Sequence, residues 1–147
     1  METYGAETRN AIAAVQELIN AELATEVWET AVAATWQGAP VWVHGDVAAG
    51  NLLVRDGRLA AVIDFGSSGV GDPACDVTIA WTLLSGMSRE AFRAALPLDA
   101  ATWARGRGWA LWKALITFAG TLDTDPAAAM AARRVINDVL AEHQRSP

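Results

Sequence analysis

A chain of 147 residues, 52% apolar with seven Trp and only 19% charged, has the size of one domain and the composition of a packed globule, which excludes extended disorder and fibrous repeats. Its net charge of −6 disfavours general attraction to nucleic acid or to anionic lipid and favours cationic ligands. The one cysteine, Cys75, cannot form an internal disulfide, no charged-then-apolar leader opens the chain, and no apolar run is long enough to cross a bilayer; a cytoplasmic setting with no membrane partner is expected.

Over residues 7–36 the apolar positions Ile12, Val15, Leu18, Ile19, Leu23, Val27 and Val32 recur at helical spacing, so this stretch reads as one long broken helix or two stacked ones. Gly38 and Pro40 stop the pattern, and Val41-Trp42-Val43 is a short β-prone run leading into His44. Leu52-Leu53-Val54, the turn pair Asp56-Gly57, and 59–63 then predict a β-hairpin, with Asp64 just past the end of its second strand. Gly66, Gly69 and Gly71 mark 65–71 as a loop with unusual backbone angles. Asp72 is a good N-cap and Pro73 a good first helical residue for the buried helix that Val77, Ile79, Trp81 and Leu84 suggest. Further helices are expected over 88–96, over 100–119 with Asp99 as cap, and over 126–142. No internal repeat and no Gly-, Ser- or Pro-rich linker interrupts the chain. Residues 1–147 therefore read as a single domain, mainly α with a small β-hairpin, an α+β fold.

The residues that carry chemistry cluster in 44–76, in three stretches: His44-Gly45-Asp46-Val47-Ala48-Ala49-Gly50-Asn51, Ile63-Asp64-Phe65-Gly66, and Gly71-Asp72-Pro73-Ala74-Cys75-Asp76. Asp46 and Asn51 end the loop before the hairpin and Asp64 leaves its second strand, so antiparallel pairing brings all three to one end of the sheet. Oxygen donors on strand ends suit Mg2+, which takes one or two carboxylates together with phosphate oxygens. A third carboxylate, left off the metal, can act as a base. Each residue also has a plain structural reading: Asp in a loop as a turn former, Asp72 as an N-cap, His44 as a satisfied buried histidine. It is their order and spacing together that point to a site.

That spacing resembles the kinase signature, in which a catalytic-loop Asp accepts the substrate hydroxyl proton and an Asn five residues on and the Asp of Asp-Phe-Gly bind metal. Gly45, where protein kinases carry Arg, and the Gly-Asp-Pro-Ala-x-Asp stretch at 71–76 resemble the aminoglycoside phosphotransferases and related small-molecule kinases over roughly 42–84. The resemblance implies the carboxy-terminal lobe of a protein-kinase-like fold. It implies Asp46 as catalytic base, Asn51 and Asp64 as Mg2+ ligands, and ATP or GTP as phosphoryl donor. Asp76 would hold the catalytic loop through its backbone, and His44 would be structural. The helices over 77–147 would bind the acceptor, a cationic aminoglycoside, with Asp99, Asp123 and Asp125 as candidate carboxylates, and the outcome would be antibiotic resistance. Solvated helix caps are the competing reading of those three.

A protein kinase is a poor alternative, because five residues between Gly66 and Asp72 leave no room for an activation segment and no Ala-Pro-Glu element follows. Choline, fructosamine, macrolide and homoserine kinases share the core motifs. The only lysine is Lys113, downstream of every motif, and before Val41 there is no strand pattern and no glycine beyond Gly5 and Gly38, so the amino-terminal nucleotide lobe of such kinases is expected to be absent. That leaves two expectations. One is homodimerisation through the lobe face left uncovered; the other is a lobe that captures aminoglycoside without modifying it. Trp103, Trp109 and Trp112 read as core or lobe-interface packing rather than a substrate platform.

Overall fold

The computed structural model describes residues 1–145. The amino-terminal helical pattern resolves into two helices, α1 (Gly5–Ala14) and α2 (Ala21–Ala33). Asn20 restarts the second by accepting the Leu23 N–H on its side-chain oxygen at 3.0 Å, an ordinary N-cap. On α2 the buried positions Ala24, Val27, Trp28 and Ala31 fall at i, i+3, i+4 and i+7, one face of the helix, and that face packs on α5 (Ala100–Thr121).

Strand β1 (Val41–Val43) follows, then the hairpin of β2 (Leu52–Arg55) and β3 (Arg58–Val62). Asp56 and Gly57 both take positive φ, as the two central residues of a type I′ hairpin turn must. The register pairs Leu52 with Val62, and the Ile63 N–H donates to the Asn51 carbonyl at 2.9 Å, which places Asn51 beside the end of β3. Residues 65–71 differ from the expected loop: Phe65–Ser67 is a 3-10 turn and Gly69–Gly71 is β4, antiparallel to β1 with Trp42 opposite Val70. The left-handed residue is Asp64, at φ 63°, and Gly66, Gly69 and Gly71 are not in that region. The pairing partner of β4 lies far upstream, so local composition alone reads as loop.

Asp72 accepts the Ala74 N–H at 3.0 Å and opens a 3-10 turn, Pro73–Thr78, which passes into the short α3 (Ile79–Thr82) instead of one continuous helix. Helix α4 (Gly86–Ala95) starts where the Ser88 hydroxyl accepts the Ser85 N–H at 3.1 Å; α5 starts at Asp99, and α6 (Pro126–Arg145) closes the described chain. The result is mainly helical with two small antiparallel sheets.

Helix α5 is the central post, packed by α1, α2, α6 and the Pro73–Thr78 turn. Trp81, Leu111, Leu115, Ile136, Val27 and Val139 are fully buried around it, and each large apolar side chain removed from water in this way contributes about 1.5–3 kcal/mol. Close approach is made possible by Gly106, where a Cβ would overlap Val77, and Gly108, where it would overlap Ala31. Arg105 is buried at 4% exposure, yet both ends of its guanidinium reach Asp72, at 2.6 and 3.0 Å, and its plane lies over Trp36. This bidentate pair ties α5 to the segment that carries Asp76. No helix among the described residues is long and apolar enough to cross a membrane.

Candidate active site

The loop after β1 is fixed by its backbone. The His44 and Gly45 N–H groups donate to the two carboxylate oxygens of Asp76, at 2.7 and 2.8 Å, so one side chain on the Pro73–Thr78 turn grips two consecutive amides. Gly45 sits at φ 85°, and a Cβ there would overlap the Ser67 carbonyl oxygen; the position excludes any side chain on both counts. His44 is buried, with its ring against Phe65 at 4.6 Å. Its Nδ1 accepts the Asp46 N–H at 3.2 Å and its Nε2 lies 2.9 Å from the Ile63 carbonyl oxygen. The one neutral tautomer that satisfies both carries its proton on Nε2. His44 thereby pins the loop to the end of β3, one residue before Asp64.

Asp46 projects from this frame with its carboxylate partly open to solvent. The Asn51 amide donates to the Asp46 carbonyl at 2.9 Å and to its Oδ2 at 3.3 Å, and Lys113 Nζ donates to Oδ1 at 2.9 Å. The hydrogen bond from Lys113, with its positive charge, holds the Asp46 carboxyl below its ordinary 3.8 against the opposing effect of burial. At neutral pH the group is an oriented, ionised carboxylate.

Asn51 spends its NH2 on Asp46, which leaves its Oδ1 without a protein partner among the described residues, and the Asp64 carboxylate likewise accepts no hydrogen bond there. The left-handed backbone of Asp64 is a conformation that Asp tolerates better than most side chains. The Asn51–Ile63 backbone bond sets these two residues at neighbouring strand ends, and oxygen donors of this type are the kind a hard cation such as Mg2+ takes. Among the described residues no group of three or more His, Cys, Asp or Glu could hold a metal by itself. Such a cation would therefore need phosphate oxygens and water to complete its shell.

Beside Asp46 opens a pocket of about 240 Å³ lined by Tyr4, Gly45, Asp46, Cys75, Thr78, Trp109, Trp112 and Lys113. Tyr4 packs on Trp112 with ring centres 4.6 Å apart and on Trp109 at 5.3 Å, forming one aromatic wall. Trp112 Nε1 donates to Glu7 at 2.7 Å, which puts a second carboxylate near the wall. Trp103 sits in the core against Trp81 and Phe92, as the packing reading expects, while Trp109 and Trp112 pack on Tyr4 and on each other and also line the pocket. Sequence reasoning did not place Tyr4 or Lys113 here either. The available signal was the Trp-x-x-Trp-Lys run at 109–113, which puts both indoles and the ammonium on neighbouring faces of α5.

Asp99, Asp123 and Asp125 lie elsewhere. Asp99 accepts the Thr102 N–H at 2.6 Å as the α5 cap, and the helical rise puts it roughly 20 Å from Lys113 along the axis. Asp125 caps α6, accepting the Ala127 and Ala128 N–H groups at 3.1 and 3.0 Å. Asp123 stands between the two helices, and none of the three lines the pocket that holds Asp46.

Searches of curated proteins and of solved structures give no match to the chain. The sequence model of the phosphotransferase enzyme family matches residues 2–109, a span that takes in the gripped loop, the hairpin, Asp64, the Asp76 turn and the aromatic wall up to Trp109. With well over half of its length inside that match, the chain belongs to the phosphotransferase enzyme family.

Proposed function

We propose that this protein transfers the γ-phosphate of ATP, or of GTP, to a hydroxyl of a cationic aminoglycoside in the cytoplasm and so confers antibiotic resistance. The observation that carries this reading is the state of Asp46: ionised, held by Asn51 and Lys113, and open to a pocket with an aromatic wall. A sugar ring can lie against Tyr4 and Trp112 and present a hydroxyl to the free edge of the Asp46 carboxylate, which takes the proton as the oxygen attacks phosphorus. Glu7 and the overall charge of −6 favour the ammonium groups of such an acceptor. Mg2+ held by Asn51 and Asp64 would supply neutralising charge to the phosphate oxygens. The exposed apolar side chains of the hairpin and of β1 support self-association as a homodimer.

Incubating the full chain with ATP, Mg2+ and a panel of kanamycin, choline, a fructosamine and a macrolide, and weighing the products by mass spectrometry, tests the proposal. Kanamycin phosphate is the expected product, and Asp46→Asn is expected to lower the rate by about 10²–10⁴-fold while weakening binding little. A phosphorylated product of another acceptor would reassign the substrate. Binding of kanamycin without any product would assign capture in place of catalysis.

A further inference from the structure

Lys113 is the only lysine of the chain and, among the described residues, the only cationic side chain lining the pocket that holds Asp46. It reaches there from the middle of α5, where its neighbours Ala114 and Leu115 are buried in the core, so the base of the side chain is anchored. Its ammonium is not: the side chain is 55% exposed and pairs with an Asp46 carboxylate that is itself 42% exposed. An exposed pair of this kind adds roughly 0–1 kcal/mol to stability, too little to explain the contact as a fold device. Of the three N–H donors of the ammonium, one is engaged by Asp46 Oδ1.

We propose that Lys113 is a further catalytic residue, whose ammonium stabilises the transferring phosphoryl group. The inference rests on the phosphotransfer reading of the site. An acceptor hydroxyl held by Asp46 lies within hydrogen-bonding reach of a carboxylate that Lys113 already touches. The phosphorus it attacks then lies within the sweep of a long, flexible side chain whose ammonium has two donors to spare. During the step the acceptor oxygen forms its bond to the γ-phosphorus, and the bond from phosphorus to the bridging oxygen breaks with its electron pair leaving on the nucleoside diphosphate. The hydroxyl proton passes to Asp46. Lys113 keeps its proton throughout. Once Asp46 is neutral its hold on the ammonium lapses, and the phosphoryl oxygens become the strongest anion nearby. The interaction therefore strengthens along the reaction, which is the condition for raising kcat rather than ground-state affinity.

The experiment compares wild type, Lys113→Met and Lys113→Arg as full chains, with ATP, Mg2+ and the best acceptor of the panel above. Lys113→Met is expected to lose about 100-fold in kcat with acceptor KM changed no more than about threefold, and Lys113→Arg to recover part of that loss. Thermal unfolding is expected to coincide for all three. Equal kcat in Lys113→Met would overturn the inference while leaving the phosphotransferase reading intact. A higher kcat would also overturn it, by showing that the ammonium masks the base. No transfer by wild type to any acceptor would instead bring down the phosphotransferase reading, and the role of Lys113 with it.

Discussion

The helices and the hairpin of this protein are held in different ways. Around α5 the side chains interlock: Leu111, Leu115, Ile136 and Val139 lose all contact with water, and ionic groups that enter, such as Arg105, arrive with a carboxylate partner. The hairpin has no such interior. Every residue of β3 is exposed, as are Leu53 and Val54 on β2, and Trp42 on β1 keeps 80% of its surface in water. The β region is held by hydrogen bonds and by a few fixed points, chiefly Asp76 under the catalytic loop and His44 across to Ile63. The candidate site lies on the border: Lys113 and the two indoles come from the packed half, Asp46, Asn51 and Asp64 from the hydrogen-bonded half. Two indoles and the stem of Lys113, anchored on a packed helix, thus face oxygen donors whose positions depend on backbone geometry.

The largest effects are expected where packing carries the structure. Leu115→Ala should cost about 2–5 kcal/mol, read as a lower urea midpoint at unchanged slope, because the site around α5 cannot collapse onto the void. Leu59→Ala in the hairpin should stay within about 0.5 kcal/mol when both proteins are unfolded at concentrations too low for self-association. Equal losses there would mean that the hairpin is covered within the single chain and would erase the contrast between the two halves.

Two glycines sharpen it next. Gly45 and Gly57 both have positive φ, but a side chain at Gly45 meets the Ser67 carbonyl whereas the space around Gly57 is open. Gly57→Ala should therefore cost only the local strain of about 1 kcal/mol. Gly45→Ala should cost roughly 1–3 kcal/mol and also displace Asp46, so that transferase activity falls far more than stability does. A Gly45→Ala protein with full activity would show that the loop tolerates movement. A smaller effect concerns the exposed strands and the proposed homodimer: wild type is expected to sediment as a dimer, and replacing Leu53 and Leu59 together with Ser to give a monomer that keeps its fold. A monomeric wild type would overturn the dimer proposal, and dimers that survive the double change would place the contact elsewhere.

The legible part of this molecule was the part written in local order. Helix caps at Asp72 and Asp99 and the Asp56-Gly57 turn announce themselves because each acts on a backbone group within three residues. The spacing of Asp46, Asn51 and Asp64 was readable because one hairpin carries all three to one end. Strand β4 was hidden, since three residues of Gly-Val-Gly have no strand signal until β1 pairs with them. The far wall of the pocket was hidden for the same reason: Tyr4, Trp109 and Lys113 share a pocket with Asp46 through the packing of the amino-terminal segment, α5 and the Pro73–Thr78 turn, and spacing along the chain does not encode that approach.

Cys75 reports on the seam where the halves meet. Its thiol lines the pocket beside Asp46, yet burial, reinforced by the adjacent Asp76 carboxylate, pushes its pKa from 9.0 up to about 11. The thiolate is the reactive form, so at pH 8 the native protein should react with a disulfide reagent on the order of 100-fold more slowly than the urea-unfolded chain. A raised pKa means that the native state binds this proton more tightly than the unfolded state does. The stabilisation is complete below pH 9 and is lost as pH rises toward 11. Cys75→Ser should remove that part of the alkaline slope in unfolding experiments and leave the neutral midpoint nearly unchanged. Rapid labelling of the native protein at pH 8 would show instead that the Asp76 turn swings away from the catalytic loop, and that the border between packed and hydrogen-bonded halves opens without global unfolding.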